Sequence, residues 1–143
     1  MNTKFRTHYE CGDGWKNIIN KVIDYIDELN TNEEIAKDPI IIHQVKEKFG
    51  GLRIYCNYYP KDLQDIIQKA EDESYHTCEI CGTTQNVGHT YGYITSCCKN
   101  CIKELFKNSY RKRIIWEVII NGEKIMKEFF DNGEEKDYTQ RVP

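Results

Sequence analysis

Residues 78–101 read CEICGTTQNVGHTYGYITSCCKNC, and this stretch decides how the chain folds. Two residues separate Cys78 from Cys81 and Cys98 from Cys101, and sixteen residues lie between the pairs. That matches the C-x2-C-x15–20-C-x2-C spacing of a zinc site. A two-residue gap turns both thiolates of a pair toward one ion, and two such knuckles close a tetrahedron of sulfurs. Four thiolates leave no open coordination position, so the expected Zn2+ is structural and activates no water. Gly82 suits a knuckle, because glycine lets backbone N–H groups bend toward a thiolate sulfur. Two alternatives stay open in the ligand set: Cys97 in place of Cys98, which gives a C-x3-C pair, or His89 in place of one thiolate.

A chain of 143 residues favours one domain, residues 1–143, with residues 78–101 as a zinc ribbon inserted in it. A chain near this length buries roughly 68–70% of the surface its unfolded form exposes, enough for one core. Apolar residues make up 39% and charged residues 30%, with a net charge of −3. The chain as a whole is therefore not a general nucleic-acid or membrane binder. Residues 1–10 carry no apolar signal-peptide core, and the aliphatic runs at 40–42 and 118–120 are too short to cross a bilayer. A reducing cytoplasm is expected, where the clustered cysteines among the seven present favour metal over disulfides. Cys11 and Cys56 read as small buried apolar residues.

Working outward from the cysteines, the fold class is α+β. Trp15, Ile18, Ile19, Val22, Ile23, Ile26 and Leu29 recur at three- and four-residue steps and predict an amphipathic helix after the Gly12-Asp13-Gly14 turn. Residues 30–38 read as a loop or a short helical turn. Residues 40–49 and 52–59 predict two strands joined at Gly50-Gly51, with Leu52, Ile54, Cys56 and Tyr58 on one face. Pro60 opens a second helix whose stripe is Leu63, Ile66, Ile67 and Ala70. Inside the zinc ribbon a short hairpin is expected over 87–96. A short helix follows Cys101, and a C-terminal hairpin turns at Asn121-Gly122, the strongest hairpin dipeptide in the chain. From Asp131 the acidic tail is expected to fray.

Two charged segments are candidate contact surfaces. Lys46, Lys48 and Arg53 flank the Gly50-Gly51 turn, with Tyr55, Tyr58 and Tyr59 on the returning strand. They read either as a grip for phosphate or protein, or as ordinary edge protection. Lys99, Lys103, Lys107, Arg111, Lys112 and Arg113 form a basic segment opposed only by Glu104. The four-residue spacing of the first three predicts one shared helix face, suited to nucleic acid or an acidic protein, or merely solvated. Acidic stretches elsewhere make the chain bipolar, which suits docking to a basic protein groove.

Catalytic readings fare less well. His8 and Glu10 satisfy the H-x-E of the zinc deaminases, but neither cysteine pair follows a proline, and a second C-x2-C has no task in that scheme. No His-Asn-His grouping, Gly-rich phosphate loop, G-x-S-x-G elbow or H-E-x-x-H is present. A non-enzymatic protein is expected.

GDGW at 12–15, QVKEKFGGLRIY at 44–55, Ser74, CEICG at 78–82 and Thr95-x-x-Cys98-x-x-Cys101 together resemble a group of small proteins from bacteriophages, prophages and other mobile elements. The resemblance covers roughly residues 11–101. It implies a phage accessory factor in the bacterial cytoplasm that binds and disables a host nucleic-acid-acting or defence complex, in the manner of an anti-CRISPR protein. It implies no catalytic residue. The alternatives are a nucleic-acid-binding zinc ribbon and a zinc-dependent nucleic-acid-modifying enzyme.

Overall fold

A computed structural model describes residues 9–138, and they form a mixed helix and strand fold. A 3-10 turn, Asp13–Trp15, leads into helix α1 (Lys16–Leu29). Ile18, Ile19, Val22, Ile23 and Ile26 are buried along its predicted face. A short helix, α2 (Glu33–Ala36), follows. Asn32 caps it by accepting from the Glu34 and Ile35 amides at 2.9 and 3.3 Å.

Strands β1 (Ile42–Lys48) and β2 (Gly51–Cys56) pair antiparallel, and helix α3 (Lys61–Ser74) comes next. The alternation in β2 is as the sequence predicts: Leu52, Ile54 and Cys56 are buried and Tyr55 is exposed. Trp15, Ile19, Ile26, Val45, Leu52 and Leu63 meet in a first core cluster, all fully buried. Each such aliphatic side chain contributes roughly 1.5–3 kcal/mol on leaving water.

The β1–β2 turn falls one residue earlier than the sequence suggests. Lys48 pairs with Gly51, so the turn residues are Phe49-Gly50, not Gly50-Gly51. Their φ values are +54° and +82°. Turns of this kind favour Asn, Asp or Gly at the first position. Holding a bulky side chain in the left-handed region costs about 1–2 kcal/mol. Phe49 is 67% exposed, so burial of the rest of the ring does no more than offset that cost. The same chain builds its other two-residue turn, Asn121-Gly122, from the preferred residues.

Strands β3 (Val87–Thr90), β4 (Ser96–Cys98), β5 (Arg113–Ile120), β6 (Glu123–Phe130) and β7 (Glu135–Asp137) form one antiparallel sheet in the order β4-β3-β5-β6-β7. Because β3 pairs with both β4 and β5, the strands between the two cysteine pairs share one sheet with the C-terminal strands. Trp116 and Phe129 meet edge to face at 6.0 Å in the second core cluster, with Cys97, Ile102, Ile114 and Val118. Two expectations fail here. As far as Tyr138 the tail after Asp131 does not fray, the rest lying outside the described residues: Glu135–Asp137 pairs with β6, led in by the Glu134 carbonyl, which accepts the Phe130 amide at 2.9 Å. The helix after Cys98 is 3-10, Lys99–Phe106. At three residues per turn Lys99 and Lys103 lie on different faces, and Lys107 is past the helix end in extended backbone, so the three share no face.

The two clusters are stitched where the cysteines lie. The Trp15 indole donates to the Thr77 carbonyl at 2.9 Å, and the Gly14 amide to the Glu79 carbonyl at 2.8 Å. A Cβ on Gly14 would overlap the Cys78 carbonyl oxygen, so only glycine fits between turn and knuckle. Ser74 Oγ accepts the Leu52 amide at 2.9 Å, and Ser96 Oγ donates to the Gly50 carbonyl at 2.6 Å. Among the described residues, no helix is long and apolar enough to cross a membrane.

Candidate metal centre

Cys78 and Cys81 occupy a tight loop after α3. The Gly82 amide donates to the Cys78 carbonyl at 2.9 Å, Gly82 adopts φ +82°, and the Cys78 amide donates to the Thr83 carbonyl at 2.8 Å. Cys98 ends β4 and is the N-cap residue of the 3-10 helix, which carries Cys101 back toward the first pair. The four sulfurs lie within 4.8 Å of one another, and Cys81 Sγ stands 3.7 Å from Cys98 Sγ. Four sulfurs set tetrahedrally at the Zn–S distance of about 2.3 Å stand about 3.8 Å apart, so the donor set fits such an ion. No other group of three or more metal-ligating side chains converges among the described residues.

The surroundings favour one thiolate in particular. Burial pushes the Cys78 thiol up, but the backbone amides of Cys81, Cys98 and Ile80 face its sulfur and hold it below the ordinary thiol value. The Cys81 amide reaches that sulfur at 3.5 Å. Gly82 thus shapes the loop while its neighbour's amide faces the sulfur. Cys98 is pushed up, chiefly by burial and by the nearby Cys78, and Cys101 is pushed up by burial and its sulfur neighbours. Metal binding at this site therefore has to displace protons. With four sulfurs on one ion, no position remains for water, and the arrangement can brace a fold but not activate a nucleophile.

Both alternatives for the ligand set fall away. Cys97 is fully buried in the second cluster, outside the four-sulfur group, and its carbonyl accepts the Trp116 indole N–H at 2.9 Å. His89 lies on β3 with Nε2 2.9 Å from the Tyr75 carbonyl oxygen. Cys56 is buried, and burial raises its thiol to about 11. Half-buried Cys11 is raised to about 12 by burial and by Glu79, Asp13 and Glu47. Neither is a reactive thiol at neutral pH. His8 of the H-x-E pattern lies outside the described residues. Glu10 pairs backbone to backbone with β1 beside Lys46, and its carboxylate accepts from Gln44 at 3.3 Å, outside the cysteine group.

The candidate cations are largely engaged. Lys99 pairs with Glu135 at 3.1 Å, Lys107 with Glu104 at 3.0 Å, Lys112 with Asp131 at 3.3 Å and Arg113 with Glu128 at 3.0 Å. The acidic C-terminal strands thus fold back onto the basic segment. Arg53 turns inward, donating to the Tyr75 hydroxyl at 3.1 Å with Glu71 at 4.0 Å. Lys48 and Arg111 instead lie over aromatic rings, at 5.5 Å from the Phe49 centroid and 5.3 Å from that of Tyr93. Lys103 lies in the 3-10 helix, beside a hollow between that helix and the acidic tail.

Sequence reasoning passed over one cluster. Phe49 at the β1–β2 turn and Tyr91 and Ile94 in the β3–β4 loop are exposed and gather where the two hairpin tips touch, and Tyr93 is exposed on the same loop. The local signal was three apolar residues in a glycine-containing loop; the misfit of Phe49 shows only once the turn is placed at Phe49-Gly50. Comparison with protein-family models, curated proteins and solved structures finds no significant match for this chain.

Proposed function

We propose that the chain is a non-enzymatic binding protein whose surface is braced by a structural Zn2+ on Cys78, Cys81, Cys98 and Cys101. The observation that carries this reading is the convergence of four thiols, two from each knuckle, with no fifth donor and no carboxylate among them. An all-sulfur tetrahedral set favours zinc, and it leaves no site for substrate or water. The ion would replace local core in a segment that is rich in turns and poor in large apolar side chains. The resemblance of the 11–101 pattern to small mobile-element proteins supports placing the chain in the bacterial cytoplasm. There it would act as a phage or mobile-element accessory factor that docks on and inhibits a host nucleic-acid-acting or defence complex.

The test is affinity capture with the zinc-loaded protein from a bacterial host, alongside an activity screen on nucleic-acid substrates. One host complex recovered in a fixed ratio to the bait, with no turnover, supports the reading. An activity abolished by Glu10→Gln with the fold intact contradicts it. A nucleic-acid module on residues 99–113 is the weaker reading. Four of its six cations already stand within 3.3 Å of carboxylates.

A further inference from the structure

We propose that the touching tips of the β1–β2 and β3–β4 hairpins form the docking site, and that its ligand is an acidic segment of a partner protein bearing one bulky apolar anchor. This rests on the binding-protein reading above and names the surface and the partner chemistry. Phe49, Tyr75, His89, Tyr91, Ile94 and Glu117 line an open cavity of 470 Å³. Phe49 is 67% exposed there, and Tyr93, in the chain between the lining residues Gly92 and Ile94, is 69% exposed. Exposed rings around an apolar hollow have the composition of an interface hot spot, not of an idle surface. Phe49 adds a second, independent sign. The turn would form more readily with Asn or Gly at that position, and the ring is not needed to fill the core. A local rule broken without a gain in packing points to use of the ring elsewhere.

Charge selects the occupant. Lys48 and Arg111 sit over the Phe49 and Tyr93 rings, and neither forms an ion pair among the described residues. The nearby carboxylates are already engaged. Glu117 accepts from the Tyr91 hydroxyl at 2.9 Å and pairs with Lys124 at 3.4 Å, while Glu47 accepts the Gly50 amide at 2.8 Å. Lys124 balances Glu117, and Lys48 and Arg111 outnumber Glu47, so the residual charge near the tips is positive, complementary to Asp or Glu flanking the anchor. A single-stranded nucleic acid fits less well, since it needs a track of cations along its backbone. Here there are two, beside a hollow of side-chain size.

The metal holds this surface together. Ile94 and Ser96 lie on the chain between the two knuckles. Ser96 Oγ binds the Gly50 carbonyl at 2.6 Å, and the Ile94 Cγ2 atom packs where a Gly50 Cβ would come within 2.7 Å.

The experiment selects a random dodecapeptide library, displayed on yeast, against the zinc-loaded full chain. The recovered peptides should carry Asp or Glu around a Leu, Ile, Phe or Trp. Their affinity should fall at least about tenfold for Phe49→Asn, for Tyr93→Ala and for Arg111→Glu. Phe49→Asn restores the preferred turn residue, so its loss of binding cannot be ascribed to misfolding, and thermal melting verifies this. Changing peptide Asp or Glu to Lys should recover binding to Arg111→Glu. Peptides that bind all three variants as well as the parent overturn this surface while leaving the binding-protein reading intact. A dT oligonucleotide that binds through Phe49 and Tyr93, with no peptide recovered, overturns both.

Discussion

Gly14→Ala probes how firmly the first core rests on the metal knuckle. The added Cβ would overlap the Cys78 carbonyl oxygen and lie 2.6 and 2.7 Å from the Glu79 carbonyl carbon and oxygen. All three are backbone atoms, so no rotamer change relieves the contact, and the 3-10 turn Asp13–Trp15 must move off the loop. Three hydrogen bonds cross that junction: Gly14 N–H to the Glu79 carbonyl at 2.8 Å, Gly12 N–H to Glu79 Oε2 at 2.9 Å and the Trp15 indole to the Thr77 carbonyl at 2.9 Å. Losing the first costs about 1 kcal/mol, and leaving the buried indole N–H without a partner costs about 1–3 kcal/mol more. Reduced freedom of the unfolded chain returns about 0.4–1 kcal/mol. The net loss is about 1–3.5 kcal/mol, a large share of the total for a domain of this size. Urea unfolding followed by tryptophan fluorescence reads it, since Trp15 and Trp116 report on one cluster each. Zinc affinity should fall as well, because the displaced loop carries Cys78. A variant within about 0.5 kcal/mol of the parent, with unchanged zinc affinity, would refute the coupling. Gly92→Ala serves as a contrast: it meets no atom within 4 Å, and only its φ of +78° opposes the methyl group. It should cost about 1 kcal/mol and leave zinc affinity alone.

Further outcomes follow from the same contacts. Ser96→Ala removes the donor that satisfies the Gly50 carbonyl at a buried site and should cost about 1–3 kcal/mol by urea unfolding. A loss too small to measure would mean the hairpin tips are not tied there. Zinc binding should release at least two protons per ion at neutral pH, because Cys98 and Cys101 are held above the ordinary thiol value and must ionise. The sign is that affinity rises with pH. Calorimetry in buffers of differing ionisation enthalpy counts the protons, and fewer than two would contradict the assignment. Replacing Glu128, Asp131 and Glu135 together with glutamine frees Lys99, Lys112 and Arg113 from their partners. Oligonucleotide binding at low salt should then strengthen and its salt dependence steepen, with log K falling by about 0.9 more per log salt for each freed contact. Unchanged binding would show that these pairs do not mask the basic segment.

The cysteine spacing and the helix periodicities were legible because each is a local rule read off side-chain types. Four sulfurs at two-residue gaps converge, and Ile18 to Ile26 fall on one buried face. Asn121-Gly122 announced its turn for the same reason. What could not be read was set by contacts distant in sequence. Lys99 to Lys107 were expected on an α-helical face, yet Cys98 and Cys101 bound the second knuckle and the helix there is the tighter 3-10 form. The acidic tail gave no local signal for a strand, since its order comes from pairing with β6 and from charge opposite Lys99 and Lys127. Phe49-Gly50 displaced Gly50-Gly51 as the turn. Gly51 sits in the strand, paired with Lys48, where the close approach of Tyr75 leaves no room for a side chain. The aromatic patch exists only because two hairpins far apart in sequence meet at Ser96 and Gly50.

X-ray absorption at the zinc edge of the purified full chain, together with metal content, tests the central claim most directly. The account predicts one zinc per chain with four sulfur neighbours at about 2.3 Å and no nitrogen or oxygen ligand. Fewer than four sulfurs, an oxygen bound to the ion, or fully folded protein without metal would contradict it.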